Sequence, residues 1–268
     1  MTQTSSARTG RVTHLPDLLE VTEVSPDGYV AERTLGGEAG MYGGQVVAQG
    51  MMAAAATVAD DRTAHSLHAT FLRPGDPRRP VSFEVHRDRD GRSYSARRVL
   101  ARQDGDLMAS MTVSFHVAEE GVDLQAVSLP DTPGPDDSEP VETHLVGIEV
   151  RVPDPQPDKH HPTRVWLRCT EPIGSDANLH VAALIYASDL FSGITDVVQI
   201  APDARMTSLD HSLWIHRPVR LDDWVLMDMI GVSVASSRGW YTGHVYDGDG
   251  AAVAGMAQEM VLRQGLQG

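Results

Sequence analysis

Hydrophobic and polar positions alternate in short runs over most of the chain, and two longer apolar stretches interrupt this alternation. In the first half, a strand-like run at residues 19–33 precedes the segment 43–60, which has small and apolar residues on all sides and is typical of a fully buried helix. Three strand-like runs follow at 81–87, 93–102 and 107–117. The first half is therefore predicted to be one helix packed against an antiparallel meander.

The second half repeats this layout. Its apolar helix is predicted to begin at a cap formed by Ser175 or Asp176 and to run to Leu190. Strand-like runs lie on both sides of this helix, at 145–152, 164–170, 214–218, 224–235, 240–247 and 251–262.

Short identities between the halves indicate an internal repeat. His65-Ser66-Leu67 recurs as His211-Ser212-Leu213 at an offset of 146, and Arg73-Pro74 recurs as Arg217-Pro218 at an offset of 144. Matches near one spacing indicate a supersecondary unit that is used twice. An antiparallel sheet curled around one long helix is the hotdog fold. The sequence therefore predicts the α+β class and a tandem, or double, hotdog.

One segment is predicted to connect the halves without ordered structure. Residues 130–142 combine four prolines with five acidic residues, a composition that buries too little apolar surface to order itself. We expect an N-terminal hotdog at residues 1–125, a linker at 126–143 and a C-terminal hotdog at 144–268. A second stretch rich in proline and aspartate, residues 153–162, is expected to be a long loop.

Charge and cysteine content narrow the range of partners and compartments. The 268-residue chain has 22 Lys and Arg against 37 Asp and Glu, and its net charge of −15 opposes binding to nucleic acid or to an anionic membrane. No run of 18 apolar residues is present, so no membrane span is expected. The single cysteine, Cys169, and an N-terminus without an apolar signal segment predict a cytoplasmic location.

The common motifs for nucleophiles, nucleotides and metals are missing from the sequence. There is no G-x-S-x-G elbow, no P-loop and no G-x-G-x-x-G, and the histidines lack metal-ligand spacing. The pair His160-His161 lies in the Pro/Asp loop and is expected to be solvated. Candidate chemistry therefore has to come from isolated polar residues within apolar segments.

Asp189 is the most informative of these residues. It follows an apolar helix near its C-terminal end, where both the helix dipole and burial disfavour a carboxylate. One interpretation is an exposed aspartate in the final turn. The other is a carboxylate that is kept in a dry cleft as a general base or to orient a water molecule.

Two further positions have both a functional and a structural interpretation. Ser208, Asp210 and Ser212 alternate with apolar residues, which predicts a shared strand face that belongs either to an exposed edge or to a cleft. Gln258 interrupts an apolar run where the first half has Val113, so it is either a surface residue or a buried amide that needs partners. In the second case only one half carries the chemistry.

The chain resembles the type II acyl-CoA thioesterases, the TesB-like double-hotdog family. The stretches that carry the resemblance occur in family order over both halves: Gly43–Gln49, His65–His68, Phe71–Asp76, Arg92–Val99, Tyr186–Leu190, Leu209–Trp214 and Val253–Glu259. The resemblance implies hydrolysis of acyl-CoA to a fatty acid and CoA by a water molecule that Asp189, Ser208 and Gln258 orient. It implies no metal and no organic cofactor, and it favours a homo-oligomer.

The residues suggest where the rest of the substrate binds. The N-terminus of the first helix, at Gly44 and Gln45, is a candidate oxyanion site because helix N-termini present free N–H groups. Arg92 and Arg238, with Ser237, are candidates for binding the CoA phosphates. The stretch between Leu190 and Met206 is expected to line the acyl end of the site.

Two other functions remain open at this stage. A hotdog enoyl-CoA hydratase or dehydratase would need a histidine paired with its carboxylate, but Ile194 stands five residues after Asp189, where the (R)-specific hydratase pattern has histidine. A non-catalytic acyl-CoA binding protein would keep the pocket without the chemistry.

Overall fold

The computed structural model describes residues 14–37, 40–155, 161–200 and 204–263. These residues include three α-helices: α1 (Leu15–Leu19), α2 (Gly43–Ala55) and α3 (Ala177–Ser188). Two short 3-10 turns lie at Pro135–Asp137 and Gly193–Asp196. No helix in these ranges has the length and hydrophobicity needed to cross a lipid bilayer.

The strands are numbered in chain order. In the first half they are β1 (Thr22–Ser25), β2 (Gly28–Ala31), β3 (Gly36–Gly37), β4 (Gly40–Met41), β5 (Arg62–Phe71), β6 (Val81–Asp90), β7 (Tyr94–Gln103) and β8 (Asp106–Val117). In the second half they are β9 (Glu139–Val141), β10 (Ile148–Val152), β11 (Arg164–Cys169), β12 (Arg205–Ser208), β13 (Asp210–Ile215), β14 (Val225–Ala235), β15 (Arg238–Tyr246) and β16 (Ala252–Arg263).

Strands from both halves form one continuous antiparallel sheet. Within the described residues, its order is β1-β2-β6-β7-β8-β5-β13-β16-β15-β14-β11-β10-β9, and β12 also pairs with β16. The halves meet where β5 pairs with β13, from Asp210 opposite Thr70 to Trp214 opposite Ser66. The sheet therefore continues across the junction between the two repeats.

The helices α2 and α3 pack against each other inside the curve of this sheet. They run antiparallel, because the N-terminal Gly44 of α2 lies against the carbonyl oxygen of Tyr186 in the last turn of α3. Both helices are buried over most of their length, and small residues such as Ala48 and Ala183 are fully enclosed. This arrangement is the predicted tandem hotdog, with one buried helix in each half.

The first half differs from its prediction in two boundaries and in one additional strand. The run predicted as a single strand at 19–33 is divided into the end of α1 and the hairpin of β1 and β2. Helix α2 ends at Ala55 rather than near residue 60. Just after this end, the hydroxyl of Thr57 donates a hydrogen bond to Ala54 O at 2.8 Å. Strand β5 was not predicted, although it is the strand that joins the two halves.

The expectation of a linker without ordered structure is wrong. Residues 139–141 form β9, which pairs with β10, and the indole N–H of Trp166 donates to the carbonyl oxygen of Pro133 at 2.9 Å. Val127 and Leu129 pack on a small cluster around Trp166. Local composition missed this because the apolar surface that orders the segment belongs to other strands. The division of the chain at 126–143 stays a prediction.

The second Pro/Asp stretch is described only in part. Residues 153–155 and 161–162 are irregular, which agrees with a loop, whereas 156–160, including His160, lie outside the described residues.

Candidate active site

Asp189 lies immediately after α3, where the two helices meet. Asp176 caps the N-terminus of α3 by accepting a hydrogen bond from Asn178 N at 2.9 Å, and Asp189 is the C-terminal cap residue. The carboxylate reaches the N-terminus of α2: a Cβ atom on Gly43 would lie 2.9 Å from Asp189 Oδ2, and one on Gly44 would lie 2.9 Å from Asp189 Cβ. Glycine at both positions therefore allows α2 to approach the carboxylate.

The N-terminus of α2 supplies positive potential at this point. The first amide groups of a helix have no intrahelical acceptor, and no side chain caps α2 at Tyr42. This potential opposes the unfavourable placement of Asp189 at the C-terminal end of α3. The side chain of Gln45 is occupied elsewhere, because it accepts from Leu35 N and donates to Arg33 O. Only its backbone N–H is available as an oxyanion donor.

The structure brings the three predicted catalytic residues together. The amide nitrogen of Gln258 lies 2.8 Å from Asp189 Oδ1 and 2.5 Å from Ser208 Oγ. Ser208 Oγ lies 3.5 Å from the same carboxylate oxygen. No hydrogen bond from a described residue reaches Asp189 Oδ2, the oxygen on the side of Gly43. That oxygen is therefore available to accept a proton.

A bulge orients Ser208 toward this group. Ser208 lies opposite Met260, and Ser212 lies opposite Ala257, so β12 and β13 together contain one residue more than the facing part of β16. The extra residue turns both Ser208 and the buried His211 toward the interior, as bulges beside active sites often do. The predicted shared face of Ser208 and Ser212 is therefore wrong.

Two residues that sequence reasoning did not single out hold the other end of the Gln258 amide. Tyr241 donates its hydroxyl proton to Gln258 Oε1 at 2.5 Å, and His211 Nδ1 lies 3.0 Å from the same oxygen. All three side chains are buried. Burial lowers the pKa of His211 and raises the pKa of the Tyr241 phenol, so both groups are neutral near pH 7.

Tyr42 and His144 form one wall beside Asp189, and neither was predicted. The Tyr42 hydroxyl donates to Tyr186 O at 2.7 Å, and the His144 ring meets the Tyr42 ring edge-on at 4.9 Å between centroids. Burial, followed by the charge of Asp189, raises the pKa of Tyr42. Desolvation lowers the pKa of His144, although the negative charge of Asp189 opposes this shift.

The candidate CoA-binding residues lie at different ends of the helix pair. Arg238 ion-pairs with Glu259 at 2.8 Å, next to Gln258, and Ser237 precedes it in a turn. Arg92 belongs to the turn that Arg62 contacts, and the carbonyl of Arg62 accepts a hydrogen bond from Asn178 at the start of α3. Twelve helical residues, about 18 Å, separate that end of α3 from Asp189.

The segment that follows Asp189 contributes apolar side chains near the site. Its 3-10 turn packs into the curve of β14 and β15, where a Cβ atom on Gly193 would lie 3.0 Å from Tyr241. Partly buried side chains of this segment continue the core: Leu190, Phe191, Val198, Ile200 and Met206.

The fold is a double hotdog, and a partly buried carboxylate, a hydroxyl and an amide meet at the N-terminus of one of its helices, an arrangement that suits a thioester hydrolase. Family models agree with this: the acyl-CoA thioesterase N-terminal domain matches residues 32–116, and the C-terminal domain matches residues 123–262. The chain belongs to the acyl-CoA thioesterase family.

Individual relatives are similar over most of their length. Human acyl-coenzyme A thioesterase 8 is 32% identical, and the match covers 83% of this chain and 80% of the human protein. Acyl-CoA thioesterase 2 of Haemophilus influenzae is 29% identical, with coverage of 83% and 87%. The solved acyl-CoA thioesterase II TesB2 of Mycobacterium marinum is 32% identical with a TM-score of 0.81, and the match covers 95% of this chain and 98% of that one.

Proposed function

We propose that the protein hydrolyses acyl-CoA to a fatty acid and CoA with a water molecule that Asp189, Ser208 and Gln258 orient. The observation that carries this proposal is the convergence of the three side chains at the N-terminus of α2, with Gln258 Nε2 2.8 Å from the Asp189 carboxylate. A thioester carbonyl is electrophilic enough for direct attack by activated water, so no covalent enzyme intermediate is needed.

The two oxygens of Asp189 have separate tasks. Oδ1 is fixed by Gln258, and Oδ2 accepts one proton from the water. Ser208 Oγ, which accepts from Gln258, holds the other side of that water. Because water and carbonyl are held at fixed positions, much of the entropic cost of bringing them together is removed before reaction.

The reaction then proceeds through a tetrahedral intermediate. The water oxygen bonds to the carbonyl carbon, and the π electrons move to the carbonyl oxygen. The backbone N–H groups of Gly44 and Gln45, at the positive end of α2, stabilise this oxyanion. When the intermediate collapses, the C–S bond breaks and Asp189 returns its proton to the departing sulfur. The products are a carboxylic acid and the CoA thiol.

The two alternative functions have less support. In the described residues, no histidine hydrogen-bonds Asp189, whereas a hydratase needs a histidine paired with its carboxylate. Both ring nitrogens of His211 are engaged, one by Gln258 and one by Ser188. A binding protein without catalysis would have no need for the three-way contact of Asp189, Ser208 and Gln258.

The replacement Asp189→Asn tests the mechanism, because it preserves shape and removes the base. We expect kcat for thiol release from acyl-CoA to fall by roughly 10²–10⁴-fold, the usual contribution of a general base, with little change in KM. Asp176→Asn is the matched control, because asparagine also caps helices well, and it should keep full activity. Wild-type turnover in a folded Asp189→Asn variant would overturn the mechanism.

Arg238 is the candidate that we propose for the CoA phosphates. It lies on the strand that pairs with Gln258, whereas Arg92 belongs to the distant end of the helix pair. Arg238→Ala should raise KM for acyl-CoA several-fold at unchanged kcat, and Arg92→Ala should leave both values unchanged. The reverse pattern would assign the phosphates to Arg92.

We also propose that the protein is a cytoplasmic homo-oligomer. Trp214 and Trp240 are about 40% exposed on the outer face of the sheet, a face that a second copy would cover. Sedimentation at micromolar concentration should show a species larger than 29.0 kDa, and a monomer alone would contradict this proposal.

A further inference from the structure

The Gln258 amide is held at both ends, although only its nitrogen faces the proposed catalytic group. Its two N–H protons are directed to Asp189 and Ser208. Its oxygen accepts from Tyr241 and lies 3.0 Å from His211 Nδ1. We propose that His211 and Tyr241 are positioning residues that fix the orientation of the Gln258 amide. This inference rests on the proposed function of Gln258.

The hydrogen-bond chain sets the tautomer of His211. The ring is neutral, so one nitrogen carries a proton and the other accepts one. Gln258 Oε1 can only accept, so the proton is on Nδ1. The other nitrogen, Nε2, is then the acceptor, and it lies 2.8 Å from the hydroxyl of Ser188, which is also 3.1 Å from Ile185 O. From His211 through Gln258, donation therefore runs in one direction and ends at Asp189 and Ser208.

The alternative orientation of the amide is excluded by the same contacts. A flipped amide would place Gln258 Oε1 at 2.8 Å from the ionised carboxylate, where two acceptors would repel each other. It would also direct the amide N–H groups at the protonated Nδ1 of His211. Ser208 Oγ would then lose the hydrogen bond that it accepts from Gln258. That bond leaves the hydroxyl proton of Ser208 free to be donated elsewhere. Two donors on Oε1 prevent this rotation, and they do so in a buried site where unmet hydrogen bonds are costly.

The test removes these donors one at a time. Tyr241→Phe and His211→Leu should each lower kcat for thiol release about 10- to 100-fold with little change in KM, because a small misplacement of a reacting group costs that much. His211→Asn places an amide N–H at the position of Nδ1 and should restore most of the lost activity. Tyr246→Phe, another buried tyrosine on β15, is the control and should have wild-type kinetics. Thermal melting confirms that each variant is folded.

Combination with Gln258→Ala separates positioning from other roles. If Tyr241 and His211 act through Gln258, their replacement in the Gln258→Ala background should lower kcat no further. Wild-type kcat in both Tyr241→Phe and His211→Leu, or an equal loss in the presence and absence of Gln258, would overturn the proposal. Full activity in Gln258→Ala alone would instead overturn the proposed function of Gln258.

Discussion

Gly43 and Gly44 determine how closely the two halves approach at the candidate active site. A side chain on Gly44 would lie 2.8 Å from the backbone oxygen of Tyr186 and 2.9 Å from Asp189 Cβ. Backbone atoms cannot move aside as a flexible side chain can, so even a methyl group would push α2 away from α3. The proposed oxyanion donors and the base would then separate.

The replacement Gly44→Ala should therefore lower kcat by at least 10-fold, because the donors on α2 shift relative to Asp189. Alanine is the better helix former by up to about 1 kcal/mol, so any loss of activity cannot come from a weaker intrinsic helix propensity. Gly134→Ala is a suitable control, since a Cβ atom there meets nothing within 4 Å. Unchanged turnover in Gly44→Ala would show that this close approach is dispensable.

At the residue scale, the sequence pointed to Asp189, Ser208 and Gln258 because each interrupts an apolar pattern or matches a family motif. His211 and Tyr241 escaped this reasoning for a physical reason. Tyr241 reaches Gln258 only through the pairing of β15 with β16, which no local pattern reveals. His211 did stand in the repeated His-Ser-Leu motif, but its inward orientation depends on the bulge before β13.

At the scale of elements, the connection between the halves is ordered. Residues 125–141, here called the strap, lie across the outer face of the second half. Gln125 accepts from Ala252 N and donates to Gly250 O, Trp166 holds Pro133, and β9 adds a strand to β10. This strap covers the cluster of Trp166, Leu226 and Tyr246. It stabilises the second half by keeping that apolar surface from water.

The backbone amides of the strap should be protected from hydrogen exchange. We expect the amides of Glu139 and Val141 to exchange slowly with deuterium, unlike those of a disordered linker. Trp166→Phe removes the hydrogen bond to Pro133 and should accelerate exchange in the strap more than elsewhere. Trp240→Phe, at an exposed tryptophan, should change nothing there. Exchange as fast as in an unfolded peptide would contradict the ordered strap.

The sequence predicted elements well where one face is buried and less well elsewhere. β8 alternates over most of its length, β16 alternates from Met256 onward, and both were expected close to their observed bounds. β5 was missed because polar residues such as His65 and His68 occupy its outer face, and a bulge near Ala64 disturbs its alternation. Tertiary pairing, rather than local pattern, makes this segment a strand.

At the scale of the molecule, histidines that are partly or fully desolvated in the folded state make stability depend on pH. Burial lowers the pKa of His211, and desolvation lowers those of His65, His68 and His216. In the unfolded chain these groups return to about 6.5, so the unfolded state binds more protons as the pH falls below that value. This contribution to the free energy of unfolding is therefore present above about pH 6.5, and it decreases as the pH falls below that value.

Melting temperature measured from pH 8 to pH 5 should decrease toward the acidic end. The variant His211→Asn should decrease less steeply, because the most buried of these histidines no longer titrates in the unfolded state. A melting temperature that is constant over this range would show that these groups do not control stability.

The two halves differ at the positions that correspond to Gln258 and Tyr241. Val113, which corresponds to Gln258, pairs with Arg97, which takes the place of Tyr241. Arg97 is 1% exposed and binds Thr57 Oγ1 just after α2, so its guanidinium fills the equivalent location in the first half.

Each chain should therefore bind one acyl-CoA, and calorimetric titration with a non-hydrolysable analogue should give a stoichiometry near one.

The pairing of β5 with β13 has a mechanical consequence. Many enzymes with two lobes bind substrate by closing a hinge, but here the lobes share a sheet, and opening them would break a ladder of backbone hydrogen bonds in its middle. We expect the halves to move as one rigid unit, so the gap between α2 and Asp189 is set during folding rather than during each turnover. Selectivity among acyl groups should then come from the fit of side chains around a fixed frame.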